Sequence, residues 1–517
     1  HVAVGYGALD ANTTGNNSTA IGASALSAAT TADQNTAVGS QALNATTTGS
    51  NNTGVGMNAL LSNTTGTRNT AVGTIALDAA TTANDNTALG YGALSSNTTG
   101  TGNTAVGSYA GDNITTGSHN TAVGLEALDV LTTGAHNTSM GYRAMQLATT
   151  GGYNVAIGNL TLDALTTASY NTALGYAALS ANTTGADNTA LGHYAMVVNT
   201  TGTQNTAVGS YAMDANTTGN YNSSLGYNVM SANTTGERNV AMGYSALKTN
   251  TTGAYNTAIG MYALDANTTA NSNVAVGYQA GLVITTGYEN ITVGKASGSG
   301  ITTGTHNVAL GSDTMVGTCT GTFNTGCGYG TLQVITSGGS NTAMGDRAGF
   351  NLTTGSNNTL LGNDAGRTGS PGGVITTHDN QINLGDENVS EANIQVDWTV
   401  ASDERDKTDF TDLDIGLDFV KALAPVTYKW DKRSKYINKD DETVDLNKVT
   451  HDGTHKEDWL DIGFKAQEVE ALEKAAGYKM SDKTNLTTSL TQDGKQYGIQ
   501  YSKFVPILVK AIQELSA

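Results

Sequence analysis

The chain has 517 residues, of which only 6% are aromatic and 13% charged while 64 are glycine, so its composition is not that of an ordinary globular domain. Its formal net charge of −19 opposes binding to nucleic acids and anionic membrane surfaces, and no apolar run approaches the ~20 residues that cross a bilayer. We therefore expect no nucleic-acid partner, no membrane insertion, and a fold built from small, repeated residues.

Charged and aromatic residues are concentrated in the C-terminal part of the chain. Residues 1–400 contain 7 lysines and arginines, whereas residues 401–517 contain 17. The three tryptophans, Trp398, Trp430 and Trp459, lie close to or beyond this boundary. We expect a change of domain near residue 400 and an aromatic core in the C-terminal part. Cys319 and Cys327 are close enough in sequence to pair, but two buried thiols are the simpler expectation.

A glycine recurs with a 17-residue period from Gly5 to Gly362, without insertion or deletion, which defines 22 repeats. The consensus is Asn-Thr-Ala-Val-Gly-x-x-Ala-Leu-x-x-Asn-Thr-Thr-Gly-x-x. Helical repeats need roughly 33–47 residues to bury a face, so this period is too short for them. Residues 1–366 are predicted to form an elongated β-solenoid with 17-residue coils, in a mainly β protein.

Each coil has a predicted strand, a corner and a ladder residue. The Thr-Ala-Val before the glycine reads as a short strand, the glycine as a backbone corner, and Asn-Thr-Thr-Gly as a second turn. We expect Val, Ala and Leu to point inward. An asparagine stands four places before the glycine from Asn35 to Asn358, with Ser18 as the exception, and identical amides can bond from coil to coil. Many are also glycosylation sequons, but the 17-residue period explains their placement better.

The thin coil buries little apolar surface, so we expect other chains to pack beside it. Exact periodicity favours a symmetric assembly, and we predict a homotrimer, although the repeat alone allows other symmetries.

The residue before the ladder asparagine varies freely and is predicted to face solvent. On four consecutive coils it is His119, His136, Tyr153 and Tyr170. Such an aromatic row can stack on the sugar rings of a receptor. The alternative is an unconstrained surface position with no ligand.

The phase breaks after Gly362, and residues 367–401 are predicted to cap the solenoid and to link it to residues 402–517. That last segment has the pattern of an α+β domain. Predicted helices cover residues 415–423, 467–476 and 504–515, and predicted strands cover residues 426–430 and 459–464.

Four motifs of this segment occur in an order typical of one family. They are Ser402 to Lys407, Ala424 to Trp430, Ile462 to Glu470, and Ile499 to Leu515. The segment resembles the intramolecular chaperone domain of phage endosialidases and tail fibres, peptidase family S74. The resemblance implies a domain that trimerises, guides folding of the preceding fibre and, in many members, cuts itself off. The repeats loosely resemble trimeric β-solenoid fibres and the heads of trimeric adhesins.

The same resemblance implies a cut at the Ala401–Ser402 bond, with Ser402 as nucleophile and Lys407 as its base. A Ser–Lys pair works when the lysine is neutral. Three acidic neighbours, Asp403, Glu404 and Asp406, favour the charged lysine instead, and the alternative is that Ser402 caps a helix while Lys407 is solvated. We expect a single-turnover self-cleaving endopeptidase at most, and no turnover enzyme.

These features favour a bacteriophage tail fibre made in the host cytoplasm, assembled into the virion and extracellular once released. The expected partners are two further copies, a bacterial surface glycan or protein receptor, and other tail proteins bound through sequence before His1. A trimeric bacterial surface adhesin is the first alternative. A fibre-borne glycan hydrolase would need paired carboxylates, but Asp10, Asp78, Asp163 and Asp214 are sparse. No metal or nucleotide motif is present, so no cofactor is expected.

Overall fold

The computed structural model describes residues 1–395, 398–439, 441 and 445–517, and it confirms a β-solenoid with 17-residue coils followed by a small α+β region. The chain separates into two compact units: unit one is His1–Thr305 and unit two is His306–Ala517. Within the described residues, no helix has the length and apolar character needed to cross a membrane.

Unit one is a parallel ladder of three-residue strands. Each strand pairs with the strand of the next coil, as in Thr104↔Thr121, so every coil stacks on the next without a shift of register. The strands are β1 Val2–Val4, β2 Thr19–Ile21, β3 Thr36–Val38, β4 Thr53–Val55, β5 Thr70–Val72, β6 Thr87–Leu89, β7 Thr104–Val106, β8 Thr121–Val123, β9 Thr138–Met140, β10 Val155–Ile157, β11 Thr172–Leu174, β12 Thr189–Leu191, β13 Thr206–Val208, β14 Ser223–Leu225, β15 Val240–Met242, β16 Thr257–Ile259, β17 Val274–Val276 and β18 Ile291–Val293.

The phased glycine forms the predicted corner. At Gly124 the backbone φ is +137°, a conformation that residues with a Cβ rarely adopt. A Cβ atom at this position would lie 2.4 Å from the carbonyl oxygen of Gly141, one coil later. The 17-residue glycine period therefore follows from both the turn and the close approach of neighbouring coils.

The interior of unit one is thin and consists of small residues. The middle strand residue and the Ala-Leu pair are buried in most coils, as at Ala105, Ala93 and Leu94. The expectation that the third strand residue points inward is wrong, because side chains alternate along a strand and this residue shares the outer face with the first. At this third position the exposed large apolar residues are Val4, Ile21, Leu89, Met140, Ile157, Leu174, Leu225, Met242, Ile259 and Val293.

The predicted asparagine ladder is confirmed. In unit one the backbone N–H of each ladder asparagine from Asn52 to Asn290 donates to the Oδ1 atom of the asparagine one coil earlier at 2.9–3.1 Å. The side-chain amide of Asn120 also donates to the carbonyl of Gly134 at 2.9 Å. These side chains are buried, so each replaces water for main-chain groups inside the coil.

A second ladder was not predicted. Each turn asparagine from Asn199 to Asn267 donates from Nδ2 to the Oδ1 atom of the asparagine one coil earlier, at 2.8–2.9 Å, and Asn182 accepts the first of these bonds. Their sequence reads as an ordinary turn, and only the stacking of coils shows that they bond to one another.

Unit two begins with five strands of the same kind. They are β19 Val308–Leu310, β20 Thr325–Cys327, β21 Thr342–Met344, β22 Thr359–Leu361 and β23 Ile382–Leu384. The last pairing, Thr359↔Ile382, is longer than the 17-residue period, which agrees with the predicted break of phase. Cys319 is buried and its burial raises the pKa of the thiol to about 11, whereas Cys327 is half-buried.

The α+β region of unit two contains the predicted elements and one further hairpin. Its helices are α1 Leu417–Ala422, α2 Ala466–Ala475 and α3 Phe504–Ser516, and its strands are β24 Val426–Tyr428, β25 Asp461–Gly463, β26 Thr488–Leu490 and β27 Tyr497–Ile499. Both strand pairs are antiparallel. The β26–β27 hairpin was missed because its threonines, serine and glycine lack apolar alternation.

The core of this region is small and contains no tryptophan. Ile415, Phe419, Val469, Phe504 and Ile507 form its buried cluster. The expected aromatic core is therefore only partly right: phenylalanines are buried, but the three tryptophans are exposed. Helix α3 also presents a row of apolar side chains to solvent, namely Val505, Leu508, Val509, Ile512 and Leu515.

Candidate functional site

The predicted Ser–Lys pair is brought together by one turn of 3₁₀ helix. The turn covers Glu404–Asp406, and Lys407 follows it directly, donating its backbone N–H to the carbonyl of Glu404. This places the Lys407 Nζ atom 2.5 Å from the Ser402 Oγ atom and 3.2 Å from the Ser402 carbonyl oxygen. The short separation in sequence is therefore sufficient, through local structure alone, to form the contact that a nucleophile and its base require.

The acidic neighbours of the pair are not equivalent. Asp403 caps the turn by accepting from the Arg405 backbone N–H at 2.9 Å, so the alternative in which Ser402 is the cap is wrong. The Arg405 guanidinium also contacts Asp403, at 2.6 Å, and holds the pKa of that carboxyl below its usual range. One of the three negative charges is thus balanced by Arg405 rather than by Lys407.

Solvent surrounds this pair. Every described residue from Asn388 to Phe410 is exposed. A neutral lysine requires removal from water, because burial disfavours the charged form. A single chain therefore forms the geometry of the Ser402–Lys407 pair. Removal of Lys407 from water, which a neutral lysine requires, would have to come from a further surface that covers the pair.

The predicted surface row forms a column of stacked rings. The centroids of His119, His136, Tyr153 and Tyr170 are 5.1, 4.8 and 5.3 Å apart in order, with interplanar angles of 17°, 14° and 9°. All four residues have φ of 61–62°, so their side chains leave the coil in the same direction. Each ring face lies against the next ring, and the edges and polar atoms are what the column presents to a ligand.

A second aromatic surface was missed in the sequence. We call it the tyrosine band, and its rings contact one another over six coils at centroid distances of 4.1–6.0 Å. Its members are Tyr176, His193, Tyr194, Tyr211, Tyr227, Tyr244 and Tyr262. They stand one or two places after the phased glycine, and this recurrence is the signal that could have found them. Several contacts are edge-to-face, and Tyr176, Tyr227 and Tyr244 are exposed to solvent.

The acidic residues considered for hydrolysis do not meet one another. Asp78, Asp163 and Asp214 lie three or more coils apart, and burial raises the pKa of each. Asp112 and Asp129 occupy the same position on neighbouring coils, and burial together with the charge of Asp112 raises the pKa of Asp129. This adjacent pair is the better candidate for carboxylate chemistry in unit one.

Comparison with known proteins identifies the C-terminal segment. Residues 402–478 match the family model of peptidase S74, described as chaperone of endosialidase. No curated protein and no solved structure matches the chain. The matched residues include the Ser402–Lys407 pair, α1, β24, β25 and α2. The resemblance predicted from the motifs is confirmed, and the chain joins a β-solenoid to a C-terminal domain similar to the S74 endosialidase chaperones.

Proposed function

We propose that the chain is the shaft of a homotrimeric bacteriophage tail fibre that attaches to a host surface, with a C-terminal domain that directs its trimerisation and folding. The main support for this proposal is that an S74-like segment follows a regular β-solenoid in the sequence. The S74 family is associated with trimerisation, and a fibre- or tailspike-like protein is the class in which both parts have a use.

Exposed apolar surface in both units supports assembly with further copies. In unit one the outer strand face carries apolar residues coil after coil, including Leu89 at 47% exposure and Leu174 at 44%. In unit two, helix α3 exposes Ile512 at 62% and Leu515 at 71%. Apolar surface of this extent favours contact with a partner, and a symmetric partner meets the same coil-to-coil spacing.

The repeats give a physical reason for a chaperone. Neighbouring coils present nearly identical strands, so chains aligned with a shift of one whole coil would form almost the same contacts. Parallel β structure also folds slowly and exposes unpaired edges meanwhile. A domain that trimerises at one end sets a common starting point for three solenoids.

Self-cleavage is the second part of the proposal. The Ser402 Oγ atom attacks the Ala401 carbonyl carbon while Lys407 accepts the hydroxyl proton, and the Ser402 nitrogen takes up a proton as the C–N bond breaks. Water then hydrolyses the resulting ester, leaving a carboxylate on Ala401 and a free amino group on Ser402. The 2.5 Å contact between Lys407 Nζ and Ser402 Oγ supports these roles. Burial of the lysine by a partner copy would couple the cut to completed assembly.

Intact mass and light scattering test both parts. We expect a trimer that is cut at Ala401–Ser402, and an uncut trimer for Ser402→Ala and for Lys407→Met. Ser481 is exposed and lies outside the Glu404–Asp406 turn, so Ser481→Ala is the matched control and should be cut like the parent. An uncut parent trimer would refute self-cleavage alone, whereas a monomer would refute the assembly.

Receptor binding is proposed for the aromatic column and the tyrosine band, because both present exposed polar rings on a rigid frame. Replacement of Tyr227 and Tyr244 by alanine should weaken binding to host cells or their surface glycans at least tenfold, since exposed tyrosines contribute strongly to binding interfaces. The same test applies to Tyr153 and Tyr170. Unchanged binding by both double variants would remove these surfaces from the proposal.

Glycan hydrolysis is kept as a second candidate because Asp112 acts on its neighbour Asp129 and also on Tyr109, whose ring meets that of Tyr91 edge to face at 5.2 Å. Release of reducing ends from a host polysaccharide by the parent, and its loss in Asp129→Asn, would support it. An adhesin would instead be supported by an export signal in sequence preceding His1.

A further inference from the structure

A cluster of charges joins the end of the solenoid to the C-terminal domain inside unit two. We call residues 363–387 the terminal cap. The Lys439 Nζ atom lies 3.2 Å from Asp364 Oδ2, 3.2 Å from Asp386 Oδ2 and 2.8 Å from Glu387 Oε1. One lysine of the C-terminal domain thus contacts three carboxylates of the terminal cap.

Three further hydrogen bonds lie around this lysine. The Arg367 guanidinium of the terminal cap donates to the Lys439 carbonyl at 3.0 Å and to Asp364 at 2.7 Å. Lys432 donates to the Glu387 carbonyl at 2.5 Å. The interface therefore combines main-chain and side-chain bonds from both segments, and it does not depend on a single ion pair.

Burial makes this cluster different from the ion pairs elsewhere on the surface. The side chains of Lys439, Asp364, Asp386 and Glu387 are 17%, 13%, 7% and 5% exposed. Burial acts to lower the pKa of Lys439, but the bonds and attractions of Glu387, Asp364 and Asp386 together outweigh burial and raise this pKa. Charges held away from water are screened less by salt, and removing one partner leaves the others uncompensated.

The terminal cap and the C-terminal domain also fit closely beside the cluster. A Cβ atom at Gly369 would lie 2.7 Å from the Ser434 side chain and 2.5 Å from Glu387, so this glycine allows the approach. The Val374 N–H donates to Asp493 at 3.4 Å, near the β26–β27 hairpin. A cavity of about 300 Å³ lies between this hairpin and residues 371–381 of the terminal cap.

Only the end of the repeats offers this set of carboxylates. Asp364 stands two places after its phased glycine, and Glu387 has the same place after Gly385. In earlier repeats this position is acidic at Glu126 and Asp313, and the following repeats carry Arg143 and Gly330 there. Lys439 therefore contacts a set of carboxylates that no other pair of consecutive repeats provides.

We propose that the terminal cap is a docking surface for this chain's own C-terminal fragment, which holds the fragment on the last coil after the connecting chain is cut. The inference rests on the proposed cut at Ala401–Ser402. The described residues between Asn388 and Ser402 are exposed and belong to no helix or strand, whereas the Lys439 cluster lies outside them. A cut there breaks the covalent link and leaves the docking contacts in place, so release of the chaperone requires a separate event.

A cut made by an added protease tests retention without relying on self-cleavage. A recognition sequence for a site-specific protease is inserted between Ala392 and Asn393 in the full-length Ser402→Ala chain. Denaturing mass analysis confirms complete cutting, and size-exclusion chromatography of the undenatured sample follows both fragments. We expect the C-terminal fragment to elute with the solenoid. Separate elution of this fragment would overturn the proposal.

Charge removal then tests which contacts hold the fragment. Lys439→Met should weaken retention on the order of 10²-fold, because it strands three buried carboxylates. Lys448→Met is the matched control, since Lys448 is 84% exposed and contacts only its neighbour Asp445 at 3.8 Å among the ion pairs described. Equal retention in Lys439→Met and the parent would overturn this assignment.

A second variant covers loss of folding. If circular dichroism of the uncut chain shows that the Lys439→Met variant is unfolded, the Glu387→Gln variant is tested in its place. We expect this variant also to release the fragment. Unchanged retention would count against the role of the Lys439 cluster. Failure of self-cleavage appears separately, as an uncut mass of the parent chain without the inserted sequence.

Discussion

The solenoid of unit one and the α+β region of unit two use opposite ways of forming structure. In the solenoid, each coil repeats the contacts of the coil before it, through the Asn120–Asn137 type of bond and strands in constant register. In the α+β region, helices α1 and α3 meet from distant parts of the sequence around Phe419 and Phe504. A repeated local solution places the same requirement on one position of every coil, whereas an aperiodic core depends on a few particular long-range contacts.

The largest expected effect comes from breaking the shared corner. Gly124→Val places a side chain where even a Cβ would lie 2.4 Å from the Gly141 carbonyl, at φ +137°. We expect a loss of about 4 kcal/mol or more in the free energy of unfolding, or failure to fold, because clash and backbone strain combine. Thermal unfolding followed by circular dichroism measures this.

Gly7→Ala is the control for that experiment. Its φ of +66° also favours glycine, but the nearest atom to an added Cβ is the Ser24 Oγ atom at 3.7 Å. We expect a cost of about 1 kcal/mol, from the left-handed backbone alone. Equal effects of the two substitutions would show that coil-to-coil approach is not what requires the phased glycine.

The next effect concerns assembly and sharpens the role of unit two. Leu508→Asp with Ile512→Asp places charges on the exposed face of α3, where both side chains lie outside the buried cluster. We expect the chain to keep its helix but to lose the trimer, since a buried unpaired charge costs several kcal/mol at an interface. Light scattering gives the mass, and Gln513→Asp, at a polar, exposed position of the same helix, should remain trimeric. A trimeric double variant would place the contact elsewhere.

Removing one step of the ladder tests how far the repeats act independently. Asn120→Ala removes the acceptor of the Asn137 N–H and the donor to the Gly134 carbonyl, both inside the coil. We expect about 2–4 kcal/mol of destabilisation per chain, because buried groups lose their partners. Asn113→Ala, an exposed asparagine, should change the stability by less than about 0.5 kcal/mol. Chemical denaturation compares the two, and a similar result for both would deny the ladder its structural role.

The smallest effect is a dependence on pH confined to the solenoid. Burial raises the pKa of Asp78, Asp163, Asp214 and Asp265. Because the folded state holds these protons more tightly than the unfolded state, their contribution to stability is greatest below the ordinary aspartate range and falls as the pH rises through the raised values. Replacing all four by asparagine should flatten the change in melting temperature between pH 4 and about pH 7.

Asp85→Asn serves as the control with the opposite sign. Arg68 holds the pKa of Asp85 below its usual range, so this carboxylate contributes stability that is lost as the pH falls. An unchanged pH profile in the fourfold variant would show that the half-buried aspartates do not titrate differently in the folded state.

Much of the candidate site could be predicted from the sequence, because its residues are close in sequence or share one position of the repeat. Ser402 and Lys407 are joined by one short turn, and the aromatic column follows from one repeated position with one repeated backbone angle. The tyrosine band and the Lys439 cluster were not predicted. The band combines two neighbouring positions of the repeat, and Lys439 meets Asp364 across 75 residues of sequence that carry no periodic signal.

Sequence alone predicts the coil length, the corner glycine and the break after Gly362, since each of these recurs or fails at the fixed period of the repeat. Only the folded structure shows that the tryptophans and one face of α3 are exposed and that the terminal cap contacts Lys439. These outcomes depend on which distant surfaces meet, and a periodic pattern contains no information about contacts that occur only once.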